Sequence, residues 1–429
     1  MKDKLIIHCD NHFNQRVVPM KTKLCVISVF FILCNSFIIQ AQDVVTKGRF
    51  TNSIYAFEPI STNETEESET HVFLYQFLRF EAKVKEYNNL SFNYDTRFLT
   101  DLQQNIDSDL RFRVNRLSLS AQDLFNGFLD VEAGRFFYHP GVTFGSLDGI
   151  DLVLKPKKNL RVQLYGGVES PTYRSYKIFD NEKGTAYGGS VKYFNLSNTD
   201  IQLSYFEKIH DQNIQWQIAG LNLSNYSLKD WKFLLQTHYD IASSRIHRFY
   251  FSTRWSPTRE MQFYLNLKQQ HPQIYADSYY SDEQKFGEFK DYKRAGIGGT
   301  YNFLEAYWFS LDYNFFKIEG GQGHKIIATV NNSNGSIGLI YESGDLGDQV
   351  GFLISYGYEI IPGLTAMLAI DYQQYRFSEL YSLEDQIANT LRLSYKITNH
   401  WRVDAEYQLL HNIFKDTDHR FLNHIHFIW

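Results

Sequence analysis

The sequence is poor in cysteine and proline and carries no excess of basic charge. Its three cysteines, Cys9, Cys25 and Cys34, all precede residue 42, so the chain beyond has no thiol for a disulfide framework or a cysteine metal site. With 8 prolines and 26 glycines in 429 residues, a collagen-like or proline-rich disordered chain is excluded. Because 48 Asp and Glu residues outnumber 43 Lys and Arg residues, we expect no nucleic-acid partner.

Short catalytic motifs are missing as well. There is no Gly-x-Ser-x-Gly elbow, no phosphate-binding loop and no His-Glu-x-x-His pair. His424 and His426 would share one face of a strand, as metal ligands or as polar lining residues, and we expect the second. We therefore predict no catalytic residues, no cofactor and no metal site. A hydrolase with Ser and His on the wall of a β-barrel stays open as an alternative, because that arrangement has no short sequence motif.

Aromatic residues are what the chain has in excess. It contains 35 Phe, 30 Tyr and 6 Trp, which together make 17% of the residues. Charged residues nevertheless reach 21% and the mean hydropathy is −0.37, which excludes a polytopic helical membrane protein. Aromatic and charged residues in such proportions are typical of many half-buried β-strands.

The first forty residues have the pattern of an export signal. Lys21 and Lys23 precede an apolar run from Leu24 to Ile39, and Ala41 offers a small residue for cleavage. The run is shorter than the roughly 20 residues that cross a bilayer as a helix, although a membrane anchor is the alternative. We predict that residues 1–41 are an upstream extension plus a secretory signal peptide, with Met20 as an alternative start. Residues 42–429 are predicted to form a single domain.

Apolar and polar residues alternate throughout the chain from about residue 44. In 401–409, for example, apolar residues alternate with Arg402, Asp404 and Glu406, so one face of a strand would be apolar and the other charged. The alternation changes parity once within 110–121, which predicts a β-bulge near Asn115 and Arg116.

Turn signals divide the chain into 22 such segments, and the connections alternate in length. Short ones such as 155–159 and 331–335 are rich in turn residues, whereas 169–185 and 270–292 are long. This pattern predicts an all-β fold, a transmembrane antiparallel β-barrel of about 22 strands, with short periplasmic turns and longer extracellular loops. Barrels of 18 or 20 strands are the alternatives. Aromatic residues near segment ends are expected to form girdles at the membrane interfaces: Tyr55, Phe57, Trp231, Trp255, Trp308 and Trp401.

The sequence ends on Phe427-Ile428-Trp429, with both aromatic residues on one parity. This ending resembles the last strand of Gram-negative outer-membrane proteins. The resemblance implies that Phe427 and Trp429 form an assembly signal read by the barrel-assembly machinery, and that the cell outer membrane is the location. It also implies outer-membrane lipid, lipopolysaccharide and periplasmic chaperones as partners. Gln40-Ala41-Gln42 resembles exported proteins of Bacteroidetes-type bacteria.

The polar parity is expected to face a water-filled lumen. The alternative is that its charges only brace the wall as ion pairs. The predicted pore-lining residues are Arg79, Glu81, Lys83, Asp95, Arg97, Arg111, Arg113, Asp130, Glu132, Arg161, Arg248, Arg402, Asp404 and Glu406.

The glycine-rich segment 134–151 resembles porin-like and alginate-export-like barrels. If the resemblance holds, the 138–146 loop folds inward and places Arg135 and Asp148 at a constriction. The alternative is an ordinary hairpin whose Pro140, Gly141, Gly145 and Gly149 only serve turn geometry.

These observations together predict a porin-like channel for the passive diffusion of small polar or anionic solutes. An outer-membrane enzyme, a binding or structural barrel, and a secretion-associated barrel are the alternatives. The natural solute and the oligomeric state do not follow from the sequence.

Overall fold

The computed structural model describes residues 44–58, 70–84, 87, 89–103, 111–139, 141–170, 184–210, 212–226, 228–271, 291–318, 320–345, 347–376, 382–412 and 415–429. Twenty-two strands and one short helical turn, α1 (Leu124–Gly127), make up almost all of these residues. The strands are β1 (Val44–Phe57), β2 (His71–Val84), β3 (Leu90–Asp101), β4 (Arg111–Asp123), β5 (Leu129–Tyr138), β6 (Gly145–Lys157), β7 (Leu160–Glu169), β8 (Thr185–Leu196), β9 (Thr199–His210), β10 (Asn213–Asn225), β11 (Trp231–Asp240), β12 (Arg245–Trp255), β13 (Met261–Gln270), β14 (Tyr292–Leu304), β15 (Tyr307–Ile318), β16 (Gly321–Asn332), β17 (Gly335–Gly344), β18 (Asp348–Ile361), β19 (Leu364–Arg376), β20 (Glu384–Lys396), β21 (Trp401–Asn412) and β22 (Lys415–Ile428).

The strands form one closed antiparallel barrel. Each strand pairs with its neighbours in the sequence, and β22 pairs with β1, so no strand is left with an unpaired edge. The chain end completes the seam, because the backbone N–H groups of Gly48 and Trp429 each donate to the other residue's carbonyl, at 3.0 and 3.1 Å. Closure satisfies the backbone polar groups that an open sheet would expose. The predicted fold class is confirmed, with 22 strands rather than 18 or 20.

The strand positions follow the alternation closely. β1 begins at Val44, where the alternation begins, and β21 contains the whole alternating segment 401–409. The predicted bulge is present, since Asp95 of β3 pairs with Arg116 whereas Thr96 pairs with Val114, which leaves Asn115 as the extra residue. No helix among the described residues is long and apolar enough to span a membrane. The predicted signal peptide lies outside the described residues, so the domain boundaries stay predictions.

The barrel wall has one polar and one apolar face. The register is regular apart from a few bulges, so one face can be followed from strand to strand around the whole barrel. Most of the exposed large apolar side chains lie on the outer face, for example Leu119, Ile150, Leu203, Leu339 and Leu393. The inner face carries most of the charged and amide side chains of the strands.

Three of the six residues predicted for the aromatic girdle lie on the outer face, and the girdle itself stays a prediction. Trp231 and Trp255 lie on the outer face with ring centroids 5.5 Å apart, and the rings of Trp401 and Phe427 lie 4.7 Å apart at a tilt. Tyr55 and Phe57, however, lie on the inner face. In the β1–β22 register they have the same parity as Thr51, which pairs with the inward-facing His426. Trp308, opposite Asn302, is on the inner face as well. Position near a strand end therefore does not by itself indicate a membrane-interface residue.

Candidate functional site: the inner face of the barrel

Thirteen of the fourteen predicted pore-lining residues occupy positions on a single face of the wall, and the side chain of Arg111 lies outside the described part of the structure. Arg79 lies opposite Asp95, Arg97 opposite Arg113, and Glu132 opposite Asp151. On the far side of the seam, Arg402, Asp404 and Glu406 of β21 lie on the same face, opposite His426, His424 and Leu422 of β22. The sequence alternation thus predicted correctly that these residues share a face. Their contact with a permeating solute stays a prediction.

Several of these charges brace the wall. Glu81 accepts from Lys47 at 2.6 Å and from Lys83 at 3.0 Å, and Arg402 pairs with Asp404 at 2.9 Å. Further pairs join Arg116 to Glu132, Lys155 to Asp130, and Arg392 to Glu406. Partly exposed pairs of this kind stabilise a fold by about 0–1 kcal/mol each, and they cancel most of their own field.

Three arginines beside them outnumber the one neighbouring acid, Asp95. Arg97 and Arg113 face each other across β3 and β4, and Arg79 lies next to them on β2. None of the three forms an ion pair with a described residue, and the nearby Asp95 accepts a hydrogen bond from Asn115 at 2.9 Å. We call Arg79, Arg97 and Arg113 the basic cluster. It gives this part of the inner face a net positive charge.

A second basic group crosses β12, β13 and β14. Lys268 lies opposite Arg294 in the register, and Arg248 stands at the neighbouring position on β12. Arg294 donates to the Asn314 side-chain oxygen at 2.7 and 2.9 Å, which leaves its charge intact. Of these three residues only Arg248 was predicted from the sequence. Lys268 and Arg294 sit on the same polar parity of β13 and β14, so the alternation itself contained the signal.

The connection between β5 and β6 folds into the barrel. Asn222 of β10 donates to the Gly141 carbonyl at 3.1 Å, and Val142 is only 5% exposed. A Cβ atom at Gly141 would come within 2.9 Å of Gln202 and Ser204 on β9, and one at Gly220 would meet Val142. Because β7 and β8 separate this connection from β9 and β10, it reaches them over the inner face. Its described residues, 139 and 141–144, therefore form an inward hairpin.

A hydrophobic core lies beneath the inward hairpin, inside the barrel. It consists of Phe136, Tyr138, Val142, Leu147, Tyr165, Ala186, Phe206 and Ile218, with Trp216 packed against it. Burying a large apolar side chain contributes about 1.5–3 kcal/mol, so this core is sufficient to hold the hairpin on the wall. Among the described residues, this core therefore fills the inner side of β5–β10. Sequence reasoning missed this core, although apolar residues on both parities in 136–138 were a signal.

Arg135 and Asp148 are paired with each other rather than presented to a solute. They lie opposite in the β5–β6 register and form two hydrogen bonds of 2.6 Å, and each residue is 1% exposed. The third guanidinium nitrogen donates to the Val114 carbonyl at 2.9 Å. Because side chains alternate along a strand, Arg135 and Asp148 lie on the same face as Ala133 and Ile150. The core residues Phe136 and Leu147 lie on the other face. This placement does not favour the predicted constriction role, which stays a prediction.

We expect the Arg135→Met substitution to destabilise the barrel by about 3–5 kcal/mol, because it leaves the Asp148 carboxylate buried without its partner. The double substitution Arg135→Met with Asp148→Leu should recover most of that loss, since no uncompensated charge remains. Urea unfolding of the lipid-reconstituted barrel, followed by tryptophan fluorescence, measures both changes. Equal stability of the single and double variants would contradict a charge-pair explanation.

The barrel seam contains the two histidines noted in the sequence. His426 contacts Thr51 at 2.9 Å and Asp404 at 3.1 Å, and His424 contacts Ser53 at 2.7 Å. Among the described residues, no group of three or more His, Cys, Asp or Glu side chains is arranged to hold a metal ion. On the outer face Phe427 and Trp429 stack at 5.5 Å. Their role as an assembly signal stays a prediction.

Comparison with known proteins identifies similar architecture only among solved structures. No protein-family model and no curated protein matches the chain. The chain is similar to OccAB3 of Acinetobacter baumannii, with a TM-score of 0.45 and 11% identity over 90% of this chain and 99% of that one. It is also similar to a BenF-like porin from Pseudomonas fluorescens Pf-5, with a TM-score of 0.43 and 11% identity over 90% and 99% of the two chains. Both TM-scores lie below 0.5, and such low identities carry over no residue role.

Proposed function

We propose that the protein is an outer-membrane channel through which small polar or anionic solutes diffuse passively. The observation that carries this proposal is the distribution of side chains on a closed barrel. The outer face is apolar and suits lipid, whereas the inner face is lined with charged and amide side chains that suit water. The inward hairpin fills one side of the lumen, as expected of a pore that restricts solute size.

The proposed preference for anions rests on unequal pairing of the charges. The acids Glu81, Glu132 and Asp404 are engaged by basic neighbours. The basic cluster has one acidic neighbour, Asp95 opposite Arg79, and neither it nor the group formed by Arg248, Lys268 and Arg294 forms an ion pair with a described residue. The field along the lumen is therefore set by the unpaired cations, which attract anions and repel cations.

Single-channel recording in planar bilayers tests the function. We expect discrete conductance steps in 1 M KCl, and in a salt gradient a reversal potential on the anion side. A bilayer that stays sealed at saturating protein concentration would contradict the channel function. It would instead favour the enzyme, binding or secretion alternatives.

The cellular context belongs to the same proposal. We infer export by the 1–41 segment, insertion into the outer membrane of a Gram-negative, Bacteroidetes-type cell, and assembly through Phe427 and Trp429. Contacts with lipopolysaccharide, barrel-assembly machinery and periplasmic chaperones follow from that location. A heat-modifiable gel shift of the mature chain from outer-membrane fractions tests location and folding together.

A further inference from the structure

A histidine lies buried where the inward hairpin meets β10 and β11. His238 of β11 is 3% exposed, and in the register it lies opposite Gly220 on one side and Arg248 on the other. A Cβ atom at Gly220 would lie 2.1 Å from Cγ1 of Val142 and 3.2 Å from Cδ2 of His238, so the two side chains meet over this glycine. The hairpin therefore shields the imidazole from the water of the lumen.

Asn222 of β10 connects the imidazole to the inward hairpin. Its amide nitrogen donates to the Gly141 carbonyl at 3.1 Å, and its oxygen lies 3.4 Å from Nε2 of His238. Nδ1 of His238 is buried and has no hydrogen-bond partner among the described residues. A neutral imidazole with its proton on Nε2 fits these contacts. A second proton would disturb them, because the Gly141 carbonyl close by already accepts from Asn222.

The groups that face His238 do not compensate a positive charge. Asp240, two residues further along β11, is engaged by the Ser243 backbone N–H at 3.3 Å and by Arg245 at 3.8 Å. The side chains that β9 and β10 place against Gly141 are uncharged: Gln202, Ser204 and Asn222. The titratable groups close enough to act on the imidazole electrostatically are all basic: Arg248 of β12, His247 beside it and His139 of the hairpin.

Other histidines of the barrel differ because they have a carboxylate partner. These pairs are His71 with Asp101 at 2.6 Å, His271 with Asp291 at 3.0 Å and His426 with Asp404 at 3.1 Å. Protonation strengthens contacts of that kind. Protonation of His238 instead adds a charge beside Arg248 at a place that excludes water, which is unfavourable. Water can reach the imidazolium only if the hairpin moves away.

We propose that His238 makes the inward hairpin an acid-sensitive gate. Protonation of the imidazole adds positive charge beside Arg248, the hairpin leaves β10 and β11, and the pore widens. Histidine suits this role because its charge changes as a neutral solution becomes acidic. The inference rests on the proposed channel function and adds to it a form of regulation.

Single-channel conductance at pH 7.5 and at pH 4.5, which bracket the usual titration of histidine, tests the gate. The wild-type conductance should rise about twofold at the lower pH, because the filled side of the lumen opens. The His238→Gln variant should lose most of this rise, since its side-chain amide stays neutral and still offers a donor to Asn222.

His424→Gln provides the matched control. His424 also lies on the inner face, but it contacts Ser53 at the seam rather than the hairpin, at 2.7 Å. This variant should retain the rise. Because the carboxylates of the lumen titrate in all three proteins, the comparison isolates the effect of His238.

A spin label measures the hairpin movement without conductance. Phe144 is 75% exposed, so a nitroxide on Phe144→Cys leaves the core in place, and the sequence has no other cysteine beyond residue 42. In the lipid-reconstituted barrel the label should become more mobile at pH 4.5. The same label in the His238→Gln background should show no such change. Heat-modifiable migration on gels verifies that each variant folds.

The possible results separate the gate from the channel. A channel that conducts with the same acid response in the wild type and in His238→Gln overturns the gate and leaves the channel function intact. A label whose mobility does not change with pH, or a rise that disappears in the His424→Gln control, also overturns the gate. A sealed bilayer overturns the channel function and, with it, the gate.

Discussion

The double substitution Arg97→Glu with Arg113→Glu is expected to convert an anion-preferring pore into a cation-preferring one. The two residues face each other and have no ion-pair partner among the described residues, so their replacement changes the local charge from +2 to −2. One unit charge acting at 4 Å in water contributes about 1 kcal/mol, and about 1.4 kcal/mol corresponds to a tenfold change. The chloride-to-potassium permeability ratio should therefore fall by about tenfold or more at 0.1 M salt.

Reversal potentials in KCl gradients measure this ratio. A control that neutralises a paired charge, Arg402→Gln with Asp404→Asn, removes a cation and an anion 2.9 Å apart and should leave the ratio within about twofold. The effect of the glutamate variant should shrink as salt rises, because the Debye length falls to about 3 Å at 1 M. An unchanged reversal potential in folded Arg97→Glu/Arg113→Glu channels would remove the basic cluster from the permeation path.

The sequence predicted the wall of this barrel because the wall follows a local rule. Side chains of a strand alternate between faces, so Arg402 and Asp404 had to share the polar face wherever β21 paired. The bulge at Asn115 was predicted for the same reason, since a change of parity within one strand requires an extra residue. The pairing of β1 with β22 is what closure of a predicted barrel requires, since a closed sheet leaves no edge strand.

Features that depend on distant strands were not predictable in the same way. Phe136 and Phe206 belong to alternating segments, but they join one core with Val142 only because the inward hairpin reaches across to β9 and β10. Aromatic residues are equally compatible with lipid and with a packed interior, so Tyr55 and Phe57 were expected in a girdle and lie inside. Arg135 was expected to face solute, yet its hydrogen bonds to Asp148 and Val114 bury it in the wall.

The second large expected effect is a disulfide that tests the position of Val142 in the inward hairpin. In the double variant Val142→Cys with Gly220→Cys, a disulfide should form almost completely under mild oxidation. A Cβ atom at Gly220 lies 3.5 Å from the Cβ of Val142, which is within the range of about 3.5–4.5 Å found in disulfides. Faster migration on a non-reducing gel and the mass of the cross-linked peptide pair detect the bond.

Leu221→Cys provides the matched control for this cross-link. Leu221 is the next residue on β10 and points to the opposite face, so Val142→Cys with Leu221→Cys should not cross-link.

Single-channel conductance of the Val142→Cys/Gly220→Cys variant tests whether the position of the inward hairpin affects the pore. The oxidised channel should conduct like the wild type, because the disulfide fixes the hairpin where it already lies. Deletion of residues 141–144 should raise the conductance about twofold, because it opens the filled side of the lumen. An uncross-linked pair, or a deletion that leaves conductance unchanged, would show that the hairpin does not narrow the pore.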